Sequence, residues 1–362
     1  MQKDFHHGTI YALARIAGFT PGEAAKVAYA SQYVDDSVVK GVVEFDNGNL
    51  FKRGSTAHKA IDPMNLDIGD NLDVWLPFHF LPGNEKDGRD ADDTTGRLLT
   101  RPGSRIAEEM LDNAILQKSK PYGLHMFGIA LHVYADTWAH QGFAGIRCDA
   151  NNMKDIKIES PDGPGAFALQ MKALASANSP ILTGHAQVWV LPDLPYLKKW
   201  SYVCKESGKK FTRKNFDEFT EAVQRIFRKM QQYLGKVSIT DLDSHNLGKI
   251  KHLFETIDSE DGDERHRKWC RAIKSGKTFH VGGRPLAEDI SYDEAEWKRK
   301  AIGSPDSGED YEYSSTLVTN VDHHKYADDF LNSDWKNFHD AAMAHRFFVT
   351  HELLPKHGIC AG

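Results

Sequence analysis

The sequence predicts a mainly α fold: a multi-helix bundle with long loops and one small hairpin. Three observations predict it. Apolar residues recur at three- and four-residue spacing through several long windows, strand-like signals are confined to one short stretch, and the segments between are rich in Gly, Pro and Asp. Composition suits a soluble globular chain: 362 residues, 40% apolar and 27% charged, enough to bury one large core or two smaller ones.

Taken in order, Ile10, Leu13, Ala14 and Ala17 mark a first helix over about 6–18, stopped by Gly18. "TPGEAAKVAYASQYVDD" is a second, with Thr20 as N-cap, Pro21 in the first turn and Glu23 completing a capping box. Residues 38–60 read as a hairpin around an Asn47-Gly48 turn. The stretch 61–100 reads as loop around the apolar island "VWLPFHFLPG". Helices follow over 104–118 and 122–141, then over about 165–177 after the loop "SPDGPG". "TGHAQVWVLPDLP" is irregular because prolines bracket Asp193. "RKNFDEFTEAVQRIFRKMQQYL" places Phe216, Phe219, Val223, Ile226, Phe227 and Met230 on one helical face. Residues 235–320 are polar and turn-rich, and a final helix over about 333–353 carries Trp335, Phe338, Ala342, Phe347 and Leu353.

The formal charge of −6 supplies no basic footprint for duplex nucleic acid. A single strand held by metals and stacking stays open. Four cysteines without a CxxC pair favour free thiols in a reducing compartment over two long-range disulfides. No apolar run is long enough to span a bilayer, and "MQKDFHHGTI" lacks a signal-peptide layout. A cytoplasmic location is therefore the default expectation, with signal-independent export left open.

Histidine is the unusual count, at eighteen. In "GIALHVYADTWAHQGF", His132, Asp136 and His140 stand four apart, drifting only ~40° per step around a helix. His125 lies on the same stripe, while Ile129, Leu131, Tyr134, Ala135 and Trp138 make the rest of the helix apolar. An unpaired carboxylate buried there costs roughly several kcal/mol. Either the histidines hydrogen-bond to one another and to Asp136, or a metal neutralises the group; Zn²⁺ takes both imidazole nitrogen and carboxylate oxygen. His6, Asp35, Asp36, His79 and His185 also sit in apolar surroundings. A multi-metal His/Asp set almost without Cys suits a hydrolytic site better than a structural one.

In order, these segments resemble the zinc-dependent phospholipase C and single-strand-specific nuclease superfamily. Its most specific motif, a helical "LHxxxD" followed by another His, is matched by Leu131-His132-Val133-Tyr134-Ala135-Asp136 and then His140. An upstream family carboxylate is matched within "ASQYVD", which selects Asp35 over Asp36, and a lone His before Phe is matched by His79-Phe80. In that superfamily the terminal amine ligates a zinc together with a nearby His. Met1 and His6 have the nuclease-branch spacing, and Gln2 disfavours removal of Met1.

The resemblance covers about residues 1–195. It implies a helical fold with zinc ions in a cleft: His79, His132 and Asp35 on one, Met1 and His6 on another, Asp136 bridging these two, and His140 with His185 on a third. Two departures make the number two or three. The family's next His usually follows the helix Asp by six positions, here by four, and its later "HxxxE/D" pair is absent, Trp189 standing four after His185. Asp193 is the substitute if its loop folds back. Much of the pattern also resembles an uncharacterised group of bacterial cytosolic proteins.

The activity implied is phosphoester hydrolysis by a metal-activated water, with Asp136 holding two cations and Asp35 orienting or deprotonating the water. The substrate would be a phospholipid head group or single-stranded nucleic acid. "VWVLPDLPYLKKW" offers aromatics for acyl chains or bases, or is simply a packed loop. Arg97, Arg101 and Arg105 read as phosphate contacts or as a solvated helix start. From another class, the chain reads as a metal-stabilised binding protein without turnover. The segments implied are 1–200 as metal-binding core, 201–320 as extension or lid, and 321–362 as a C-terminal helix packing back on the core, within one compact domain. "KDGRDADDTTG" (86–96) lacks EF-hand spacing and reads as solvated loop. His339-Asp340 reads as part of a core-packing helix, His345 and His351 as satisfied surface or interface histidines, and His323-His324 as a weak signal.

Overall fold

Two helices crossing at a glycine make the centre of the fold. The computed structural model describes residues 1–58, 67–84, 95–159, 164–179, 183–303 and 321–362. Asp4–Thr9 winds as a π-helix and continues as α1 (Ile10–Ala17), which ends at Gly18 in the left-handed conformation. α2 (Pro21–Asp36) starts at Thr20, whose capping box with Glu23 is complete. β1 (Gly41–Phe45) and β2 (Leu50–Arg53) pair antiparallel around the predicted turn.

The apolar island is helical over its first part. Asp67 caps α3 (Ile68–Asp70), which runs through a π turn (Asn71–Trp75) into α4 (Leu76–Phe78) and ends at His79. Residues 86–94 of the acidic loop lie outside the described residues. Ser104 caps α5 (Arg105–Leu116). α6 (Gly123–Ala139) is buried on nearly every side and packs against α2, α5, α8 (Asn215–Tyr233) and α12 (Asp334–Phe347). An all-round apolar helix belongs in the middle of a bundle. At the α2 crossing, a Cβ on Gly128 would lie 2.5 Å from the Val27 carbonyl oxygen, so only glycine allows this approach.

β3 (Met153–Ile158), β4 (Trp200–Cys204) and β5 (Lys210–Arg213) form an antiparallel sheet that local patterning did not announce. α7 (Pro164–Ser176) lies beside β3. Leu169, Leu191, Leu194, Leu197, Trp200 and Tyr202 give this region its own small core, which runs across residue 200 without a break.

The polar segment 235–320 contributes to the main core. Among its described residues, α9 (Ser244–Thr256), α10 (Gly262–Lys274), the β6–β7 hairpin (His280–Val281 and Arg284–Pro285) and α11 (Glu296–Ile302) send Ile250, Phe254, Trp269, Ile273 and Trp297 into the main core. β8 (Val321–His324) adds to β1 in parallel, putting His323-His324 in a strand. α12 continues through a π turn (Phe348–Leu353) to α13 (Leu354–Lys356). Trp335, Phe338, Ala342 and Leu353 point inward as predicted, whereas Phe347 is exposed. His339 is buried among Phe51, Trp335 and Phe338. His345 is satisfied but buried rather than at the surface: its Nε2–H donates to the Pro77 carbonyl at 3.0 Å. Arg97 donates to Asn84 and to the Gly358 carbonyl, and Arg105 pairs with Glu109. All four cysteines are thiols, and among the described residues no helix is long and apolar enough to cross a membrane.

Candidate metal centre

α6 delivers His132 and Asp136, and His140 follows as its C-cap residue. His140 leaves the helix there (φ −90°, ψ 11°), and its Nδ1 still lies 3.5 Å from Asp136 Oδ2. Asp35 comes from the last turn of α2, His79 from the end of α4, and Met1 and His6 from the N-terminal segment. His185 and Asp193 flank two short 3-10 turns, Ala186–Val188 and Leu191–Asp193, that fold the loop back as the substitution of Asp193 required. All nine predicted residues meet. His125, on the same face of α6, does not join them and pairs with Asp334 at 2.9 Å.

Asp136 is the hub. Its Oδ1 lies 2.5 Å from the Met1 amine and 3.2 Å from His6 Nε2, and its Oδ2 lies 3.4 Å from His79 Nδ1 and 3.3 Å from His132 Nε2. Asp35 Oδ1 stands 3.6 Å from His132 Nε2 and 3.8 Å from His79 Nδ1. Asp193 reaches the Met1 amine at 3.2 Å, His140 Nε2 at 3.6 Å and His185 Nε2 at 3.6 Å. Among the described residues, ligand atoms lie within 4.8 Å of one another in the sets His6/Asp35/His132, His79/His132/Asp136 and His140/His185/Asp193.

Tautomers decide what this arrangement means. A carbonyl oxygen can only accept, so each ring nitrogen facing one carries the proton. His132 Nδ1 faces the Ser31 carbonyl (2.7 Å), His79 Nε2 that of Thr56 (2.9 Å), His140 Nδ1 that of His79 (2.8 Å) and His185 Nδ1 that of Trp189 (2.9 Å). Burial holds His132 and His79 below the ordinary histidine range and His6 and His185 at about 4, so these rings are neutral near pH 7. Their other nitrogens are therefore lone pairs. His132 Nε2 and His79 Nδ1 stand only 3.3 Å apart beside Asp136 and Asp35, and neither ring has a second proton to give the other. Apposed lone pairs repel one another, and a cation at their focus would remove that repulsion. Both nitrogens of His6 are buried without a hydrogen bond, which gives the same indication. Neutral imidazoles oriented by carbonyls, together with carboxylates, form a donor set that fits zinc.

Electrostatics divide the carboxylates. Burial raises Asp136, but His140, the Met1 amine, His132 and His6 outweigh it and hold the group well below the usual range. Asp193 is likewise held low, by the Met1 amine and His185 against burial. Asp35 goes the other way: burial, Asp136 and Asp36 push it well above the usual range. Burial lowers the Met1 amine, yet Asp136 and Asp193 keep it at about 11, so it must lose a proton before it can ligate.

A model of a family of unknown function, DUF6765, matches residues 1–353. The chain belongs to that family. No curated protein and no solved structure matches it. In this DUF6765 chain the match spans every residue of the centre, from Met1 to Asp193, and also the α10 and α12 segments beyond it. The orienting carbonyls of Ser31, Thr56, His79 and Trp189 were missed from sequence, since a main-chain oxygen has no residue-type signature.

Proposed function

We propose that the chain is a zinc-dependent phosphodiesterase, built as a divergent phospholipase C/nuclease-like bundle and holding two or three ions. The observation that carries this reading is the apposition of unprotonated imidazole nitrogens and carboxylates around Asp136, whose two oxygens face different ligand sets. Closed ligand sets mark structural zinc; an accessible edge suits catalysis. Here the Asp35 side chain is 31% exposed and that of His185 19%, so the centre opens to solvent on their side.

Zinc supplies, at such a site, Lewis-acid polarisation of a phosphoryl oxygen and a lowered pKa for nearby water. The chain's own residues do the rest. Asp136 spans two ligand sets and holds their spacing. The four carbonyls fix the imidazole rings, so the lone pairs are aimed before a substrate arrives. Asp35, on the open edge, would be returned to its ionised form by a cation bound beside it, and is then the carboxylate placed to take a proton from an attacking water. Trp189, 42% exposed and lying between His185 and Asp193, offers an apolar face for what is attached to the phosphodiester: an acyl glycerol in a phospholipid, or a base in single-stranded nucleic acid.

The test is a zinc count on the tag-free, full-length chain beside Asp136→Asn, with hydrolysis of bis(4-nitrophenyl) phosphate, a phospholipid diester and single-stranded DNA. Two or three zincs per chain, at least one lost in the variant, and turnover falling on the order of 100-fold are expected. A chain that takes up no zinc overturns the reading. Zinc without turnover on any of the three substrates leaves a metal-stabilised binding protein in its place.

A further inference from the structure

His6 is a ring without a hydrogen bond on a tethered segment. Its neighbours Gln2, Lys3, Asp4 and His7 are all tied to α10, some 260 residues away in sequence. Arg265 is fully buried. Its Nε donates to Asp4 Oδ2 at 2.9 Å, and its Nη2 to Asp4 Oδ1 at 3.0 Å and Gln2 Oε1 at 2.7 Å. Its remaining arm, Nη1, donates to the carbonyls of Ser259 and Glu260. Lys3 pairs with Asp263 at 2.6 Å, and His7 Nδ1 meets His266 Nε2 at 2.9 Å. The fit is close enough that a Cβ on Gly262 would lie 2.6 Å from Gln2 Oε1. The same approach ties a second limb. Glu260 accepts from Trp189 Nε1 at 2.8 Å, and the Trp189 carbonyl orients His185.

A buried Arg–carboxylate pair adds little net stability compared with apolar residues of the same size, because desolvation offsets the attraction. What the pair does supply is direction. The guanidinium fork engages Asp4 and Gln2 in one plane, which leaves the segment one orientation. In that orientation His6, two residues after Asp4, stacks on His132 with ring centroids 3.8 Å apart and presents Nε2 to Asp136.

We infer that α10 is a positioning element for the metal centre, with Arg265 aligning the N-terminal segment through Asp4 and Gln2 so that His6 can serve as a ligand. This rests on the metal-centre reading above. The test uses the full-length chain and four variants: Asp4→Leu/Arg265→Met, the same pair with His6→Ala, His6→Ala alone, and Arg265→Lys. The readouts are zinc per chain in a zinc buffer, affinity for the last ion, and the urea midpoint. The apolar pair is expected to keep its fold, with a lower midpoint because the Ser259 and Glu260 carbonyls lose their donor, and to lose one zinc, with no further zinc loss on adding His6→Ala. Arg265→Lys keeps the charge without the fork; it should retain the zinc number but bind the last ion roughly 10-fold more weakly. An apolar pair with the parent's zinc number and affinity overturns the inference and leaves the metal reading standing. If that pair does not fold, an unchanged affinity in Arg265→Lys overturns it instead. A parent chain without zinc overturns both.

Discussion

Asp35 and Asp36 are neighbours of the same chemistry in different surroundings. Asp35 faces His132 and His79, whereas Asp36 accepts from the Tyr292 hydroxyl at 2.6 Å and from Gln32 at 3.0 Å. Asp35→Asn should therefore lower the zinc count and turnover while leaving the urea midpoint of the chelated protein nearly unchanged. Asp36→Asn should do the reverse, keeping zinc and losing about 1–2 kcal/mol of stability with its charge-assisted hydrogen bond. Zinc titration and urea unfolding on the two variants separate the cases, and equal zinc loss in both would contradict the assignment. At this scale the candidate site was legible because His and Asp are costly to bury, so each one set in an apolar run stood out. The residues that orient them were not. Ser31 and Thr56 act through carbonyls, and Asp4 and Arg265 look like ordinary surface charges until the fold brings them together.

Between elements, the α2–α6 crossing couples packing to the centre. Gly128 lets α6 press onto Val27, Ala30 and Ser31, and the Ser31 carbonyl is the one that orients His132. Gly128→Ala must part the helices, because the new Cβ would meet backbone rather than the movable end of a side chain. Expected are a loss of about 1–3 kcal/mol in urea unfolding and weaker zinc binding in the same variant. A variant that loses stability but binds zinc normally would show that the carbonyl follows the ring. Helices with caps were readable one by one: Thr20, Ser104 and Gly18 act within a few residues of themselves. The β3–β4–β5 sheet and the β1–β8 pairing were not. Their strands are short, and β8 meets its partner across almost 280 positions. The polar segment 235–320 hid its role similarly, since Trp269 and Phe254 are single large residues in a solvated pattern rather than a stripe.

Over the whole molecule, folding confines histidines that must stay neutral, and this sets a pH dependence. Burial lowers His345 to about 4 and His339 to about 3, although each lies apart from the nine site residues. An unfolded histidine takes its proton near pH ~6.5. Between that pH and the folded value, the unfolded chain binds more protons than the native one, so acid favours unfolding. The stability these residues contribute is fully present above pH ~6.5 and is lost as pH falls toward about 4. For His345 the loss amounts to roughly 3 kcal/mol. The chelated protein should therefore show a urea midpoint that declines steadily from pH 7 to 4.5. His345→Gln, whose side-chain amide can still donate toward the Pro77 carbonyl but cannot titrate, should show a shallower decline. Chelation removes the competition between protons and metal for His6, His79, His132 and His185, and the difference between parent and variant separates His345 from these other buried histidines. Equal slopes for parent and variant would mean that His345 is already solvated enough to protonate without unfolding the chain.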